Sequence, residues 1–137
     1  MSLYVQLVDV FAENMPGLCG QGRPLNVEQL RAIAKSFIDG ATDLSVEVDG
    51  NPVRKIPRVQ SDVFVMAQPA DNIQGLFCPP GQSPAAIFSP AIDDGFYVLL
   101  APLSVGPHTL HYTGSIPAIS FSADITYDLT VVPVSTK

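Results

Sequence analysis

The chain contains no tryptophan, and between Val59 and Thr136 it contains no lysine or arginine. The missing cations exclude a phosphate-tracking groove in that stretch, because binding nucleic acid through counterion release needs several clustered bases. The one small basic group is Arg54, Lys55 and Arg58. Charge that keeps an edge strand soluble accounts for it more simply than contact with nucleic acid or acidic lipid, so no nucleic-acid partner is expected. Charged residues make up only 15% of the chain, against roughly 25% in ordinary domains. Disorder is excluded all the same, since 47% of residues are hydrophobic and mean hydropathy is +0.28. No apolar run approaches the roughly 20 residues of a membrane span; the longest runs from Phe96 to Leu103. What the sequence does hold is 13 prolines and 10 glycines in 137 residues. That composition suits short elements joined by turns in one domain, 1–137.

Cysteine and histidine are equally scarce, two of each. Two distant cysteines and two histidines cannot supply four zinc ligands in any familiar spacing. Cys19 follows Pro16-Gly17-Leu18 and Cys78 precedes Pro79-Pro80-Gly81. The alternatives are a disulfide or two unrelated thiols, and the turn-rich flanks favour the disulfide. It would close a loop of roughly 60 residues, worth about 4 kcal/mol through the entropy of the unfolded chain, and would point to an oxidising compartment. Met1-Ser2-Leu3-Tyr4 has no basic n-region; this start is read as standing in place of a removed leader.

Periodicity sets the elements. Leu3 to Phe11 is rich in β-branched and aromatic residues and predicts a strand, followed by a loop from Ala12 to Pro24. Asn26 as N-cap, Gln29 three residues on and Gly40 at the far end bracket a helix over 27–39, with Leu30, Ile33, Ala34, Phe37 and Ile38 at helical spacing. From Leu44 the period is two, and Asp49-Gly50-Asn51-Pro52 predicts a hairpin turn into Val53–Ile56. Asp62 to Gln68 reads as a central strand covered on both faces. Pro69 to Pro90 is expected to be irregular, with one short strand at Ala85–Phe88, and to be held by the disulfide or kept for function. Gly95 to Ala101 is apolar on both faces, and the turn Pro102–Pro107 returns the chain into His108–Thr113. Ile119 to Val131 then alternates throughout. Ile119, Phe121, Ala123, Ile125, Tyr127, Leu129 and Val131 should face the core, and Ser120, Ser122, Asp124, Thr126, Asp128 and Thr130 should meet water. The expected fold is mainly β: an antiparallel β-sandwich, immunoglobulin-like or jelly-roll-like, with one helix near 27–39.

The stretch from Asp94-Gly95-Phe96-Tyr97 through Pro102-Leu103-Ser104-Val105-Gly106-Pro107-His108-Thr109-Leu110-His111-Tyr112 resembles a group of uncharacterised secreted bacterial proteins with a DGYW-x-ML-x-PLSPG-x-HTIHF-like signature. Leu30-Arg31-Ala32, Asp43–Val53, Pro69–Ile73 and Phe121–Thr130 are similar to that group as well. The chain departs from it at Phe96-Tyr97, where the group often has Tyr-Trp, and at Val105, where it often has Pro. The Gly-x-His-Thr-Leu strand resembles, more loosely, those of bacterial immunoglobulin-like domains. The resemblance implies export and a sandwich fold, and it brings no activity.

Each chemical constellation has a simpler structural account. His108 and His111, three apart on one strand, face opposite sides and cannot jointly hold an ion. His108 is expected to be hydrogen-bonded near the turn, and His111 solvated or paired with a cross-strand acid. Asp124 and Asp128 share a face, but their Cα atoms stand about 13 Å apart by strand rise, too far for a glycosidase pair. Asp71, Asp93 and Asp94 are weak calcium candidates in oxygen-rich loops that lack a dedicated ligand spacing, and turn formation explains them without an ion. Gly81-Gln82-Ser83-Pro84-Ala85 lacks the second glycine of a nucleophile elbow. No catalytic residue and no cofactor is therefore assigned. The expectation is a secreted or periplasmic, non-enzymatic binding or structural domain with a protein or saccharide partner. The alternatives are a carbohydrate-binding accessory module, disfavoured by the missing tryptophan although Tyr4, Tyr97 or Tyr112 could substitute, and an enzyme of unrecognised type. A flat exposed aromatic strip would favour the first alternative; a pocket gathering Asp93, Asp94 and a histidine would favour the second.

Overall fold

A computed structural model describes residues 2–76 and 78–133. The chain forms β1 (Leu3–Glu13), α1 (Val27–Ile38), β2 (Thr42–Val48), β3 (Asn51–Pro52), β4 (Arg58–Gln60), β5 (Phe64–Gln68), β6 (Ala86–Leu100), β7 (Gly106–Ile116) and β8 (Phe121–Val131). Short 3-10 turns occupy Ile73–Leu76 and Pro117–Ile119. One sheet has the order β1-β6-β4, with β5 also pairing β6; the other runs β3-β2-β7-β8. The fold is a mainly β, two-sheet sandwich with one α-helix, as the periodicity predicts.

The chain divides into two compact units. The first comprises Met1–Asp9, Phe37–Val59 and Gly95–Lys137; the second comprises Val10–Ser36 and Gln60–Asp94.

In the first unit the two sheets bury a common core. Val5 and Leu7 of β1 with Val98 and Leu100 of β6 meet Val46 of β2 and Leu110 and Tyr112 of β7. Each pair is spaced two apart, so each strand sends one face inward. The β2–β3 turn has Asp49 and Gly50 both at positive φ, 52° and 74°. That is the backbone a tight antiparallel hairpin requires and the reason for the Asp-Gly pair. Two glycines mark where β1 passes closest to its neighbours. A Cβ on Gly95 would lie 2.6 Å from the Val8 carbonyl oxygen, and one on Gly114 would lie 2.7 Å from Val8 Cγ1. No side chain fits at either place.

In the second unit α1 starts on a reciprocal capping box. The Gln29 N–H donates to Asn26 Oδ1 at 2.9 Å, and the Asn26 N–H donates to Gln29 Oε1 at 3.0 Å. Leu30 and Ala34, one turn apart, pack on Ile92 of β6 with Val10 and Ala12 of β1 around them. Cys19 and Cys78 are joined by a disulfide with a Cα–Cα distance of 4.8 Å.

Several expectations need correction. β1 runs on to Glu13, and the helix ends at Ile38. β5 is not covered on both faces: its burial alternates, and Val65 is 61% exposed. The short strand at Ala85–Phe88 is the start of β6, which continues unbroken to Leu100. Asp93 and Asp94 therefore lie inside a strand rather than in a loop. The Asp-Asp-Gly string looks like a turn, but its glycine serves the close approach of β1. On β8, Ala123, Ile125 and Leu129 pack against the core, whereas Phe121 and Tyr127 remain 44% and 47% exposed. Ile119 belongs to the preceding 3-10 turn.

Candidate functional site

The acids proposed for calcium are not arranged as ligands. Asp94 is 1% exposed and accepts a hydrogen bond from Gln60 Nε2 at 2.9 Å. The Asp93 backbone N–H donates to Ser61 Oγ at 2.9 Å, and its carbonyl accepts from the Ser61 N–H. Both thus hold β6 against the chain at 60–61. Asp71 is exposed in the next loop, where the Asn72 side-chain amide donates to the carbonyls of Pro69 and Ser83. Among the described residues no group of three or more His, Cys, Asp or Glu is placed to hold a metal ion.

The histidines sit on β7 at opposite parity. His111 Nε2 lies 2.8 Å from Asp124 Oδ1 on the neighbouring strand, the cross-strand acid anticipated for it. His108 stands between two acceptors, with Nδ1 2.7 Å from Asp49 Oδ2 and Nε2 2.9 Å from the Ser104 carbonyl. Donating to both requires the imidazolium. The Asp49 carboxylate raises the His108 pKa above its ordinary value, helped by the Ser104 carbonyl. His108 in turn lowers that of Asp49, helped by the Thr109 N–H. The pair clasps the β2–β3 turn to the start of β7, which is a structural task.

A different set of residues forms a concave site. A groove of 460 Å³ opens between residues 3–6 of β1, Leu110 and Tyr112 of β7, and Tyr127 and Leu129 of β8. Its origin is topological. β1 ends one sheet and β8 ends the other, and on the inner stripe of β8 Tyr127 stays 47% exposed. Two tyrosines border the opening, each backed by a buried one. Tyr4, 63% exposed, stacks on buried Tyr97 with ring centroids 5.2 Å apart; Tyr127 stacks on buried Tyr112 at 6.2 Å. Burial raises the Tyr112 pKa, and its contact with Tyr127 adds to the effect. Such a site can hold a ligand by apolar and aromatic contact, with Gln6 as a polar group at its edge. Among the described residues its lining includes no aspartate, glutamate or histidine.

The second unit has a smaller groove of 300 Å³ between Phe11, residues 66–69 of β5 and its following turn, and residues 72–74. Nearby, Gln74 Nε2 donates to Glu13 Oε1 at 2.8 Å. Burial raises the Glu13 pKa, opposed in part by that hydrogen bond. Neither groove is lined by Asp93, Asp94 or a histidine.

Sequence reasoning missed the first groove because Tyr127 and Leu129 belong to one alternating stripe. Nothing in that stripe shows where the facing sheet stops. The one available signal on that strand was a tyrosine, with its polar tip, at an inward position.

No helix among the described residues is long and apolar enough to cross a membrane. No known family, curated protein or solved structure matches the chain.

Proposed function

We propose that this is a non-enzymatic, extracytoplasmic binding domain, and that the groove between β1 and β8 receives its ligand. The observation that carries the reading is the exposure of Tyr127, backed by buried Tyr112, in this concavity, with exposed Tyr4 at its β1 edge. Rings held by a packed partner lose little freedom on binding and present a ready surface. The Cys19–Cys78 bond is compatible with an oxidising compartment, and the resemblance to secreted proteins and bacterial immunoglobulin-like domains favours the same location and kind of role. A second reading, a carbohydrate-binding accessory module, draws on the same two exposed tyrosines, which would take the place of the missing tryptophan.

The test is a panel titration of oligosaccharides and extended peptides into isotope-labelled protein, followed by NMR. A true ligand should shift residues 3–6 and 125–129 first, and Tyr127→Ser should weaken it without unfolding the chain. Ligands that shift only the second unit's groove would sink the proposal.

A further inference from the structure

The groove has an unusual border, since two of its walls, β1 and β8, are strands that end a sheet. β8 pairs with β7 along one edge, from Ile116↔Phe121 to Gly106↔Val131. No strand among the described residues pairs with its other edge. A free edge displays backbone donors and acceptors ready to pair with an extended segment.

Two stripes of opposite character run along that edge. The inner stripe leaves Tyr127 half-exposed at the groove and Phe121 half-exposed at the start of the strand. The outer stripe is Ser122, Asp124, Thr126, Asp128 and Thr130, all exposed. Its only charges are acidic, and no lysine or arginine occurs anywhere from residue 59 to 136. A strand laid alongside β8 would also have period two. One set of its side chains would cover Phe121 and Tyr127, and the other would stand beside Asp124 and Asp128.

These stripes specify the occupant. A second copy of the chain fits poorly, because antiparallel self-pairing of β8 over its full length sets Asp124 against Asp128, and like charges directly opposite are destabilising. We propose that the β8 edge takes an extended peptide segment of another protein, in which apolar residues alternate with lysine or arginine, as a fifth strand of the β3-β2-β7-β8 sheet. Main-chain pairing supplies affinity, Phe121 and Tyr127 select the apolar positions, and Asp124 and Asp128 select the basic ones. This rests on the groove reading above and names the ligand class for it.

The probe is a capped peptide of alternating valine and lysine, eleven residues to match β8. Its companions are the valine–glutamate analogue, a block-ordered valine–lysine peptide of equal composition, and cellohexaose. Affinity is read by fluorescence anisotropy for the peptides and by NMR for all four; amide hydrogen exchange of β8 is followed in parallel. The alternating lysine peptide should slow exchange along β8 and bind about tenfold tighter than either peptide companion. Asp128→Lys should weaken it by about fivefold and strengthen the glutamate analogue. Equal binding by the block-ordered peptide, or unchanged exchange in β8, would reduce the effect to loose charge attraction and overturn the inference. If only cellohexaose shifts Tyr4 and Tyr127, strand addition is refuted while the groove reading stands. If no probe shifts them, both readings fall.

Discussion

At the scale of single residues, His108 and Glu13 respond to pH in ways their surroundings dictate. His108 is flanked by the Asp49 carboxylate and the Ser104 carbonyl, so its folded pKa is raised. The stability it contributes is fully present below its ordinary value of 6.5 and is lost as pH rises through the higher folded value. Asp49 has a lowered folded pKa, so its share is present above 3.8 and is lost as pH falls through the folded value. The deficit in melting temperature of His108→Gln relative to the parent should therefore be larger at pH 5.5 than at pH 8.5. Equal deficits at both would show that the ring is not held as the imidazolium. Glu13 is the opposite kind of carboxylate. Burial raises its folded pKa, so it favours folding when protonated, and that contribution is lost as pH rises through the raised value. Glu13→Gln keeps an oxygen for Gln74 to donate to and removes the charge. It should melt higher than the parent at neutral pH, with the gain vanishing in acid.

Among the elements, β8 separates what alternation can tell from what it cannot. Leu129 packs on the first unit's core while remaining partly exposed. Leu129→Ala should cost about 2 kcal/mol, the low end for a core truncation. Asp124→Asn alters a pair whose aspartate is 78% exposed and should cost under about 0.5 kcal/mol. Chemical denaturation of both variants checks the ordering; a larger loss for Asp124→Asn would make the His111 contact a structural mainstay. Parity along β8 was legible because one residue in two faces the core. The exposure of Phe121 and Tyr127 was not, because it depends on where a separate sheet ends. The same contrast recurs elsewhere. The α1 cap and the Asp49-Gly50 turn are local and could be read from a few neighbouring residues. Asp93-Asp94-Gly95 misled because its glycine answers a long-range contact, the backbone of Val8 and Asp9, while its acids mimic a turn.

For the whole molecule the disulfide offers a test of cooperativity. Cys19 and Cys78 both lie in the second unit, whereas Tyr4, Tyr97, Tyr112 and Tyr127 all lie in the first. With no tryptophan in the chain, intrinsic emission reports the first unit alone. The bond spans a sequence separation of 59, and its loss should cost about 4 kcal/mol by freeing the unfolded chain. Strands β1 and β6 are continuous through both units, which favours unfolding as one domain. Reduction should then lower the denaturant midpoint read by tyrosine emission, although no tyrosine belongs to the unit that holds the bond. A thiol count on denatured, unreduced protein should first give zero, to establish that the starting material is bonded. If the tyrosine transition stays in place while backbone circular dichroism shows an earlier one, the units unfold separately. In that case the loop-closure effect is confined to the second unit, and the single-domain expectation fails.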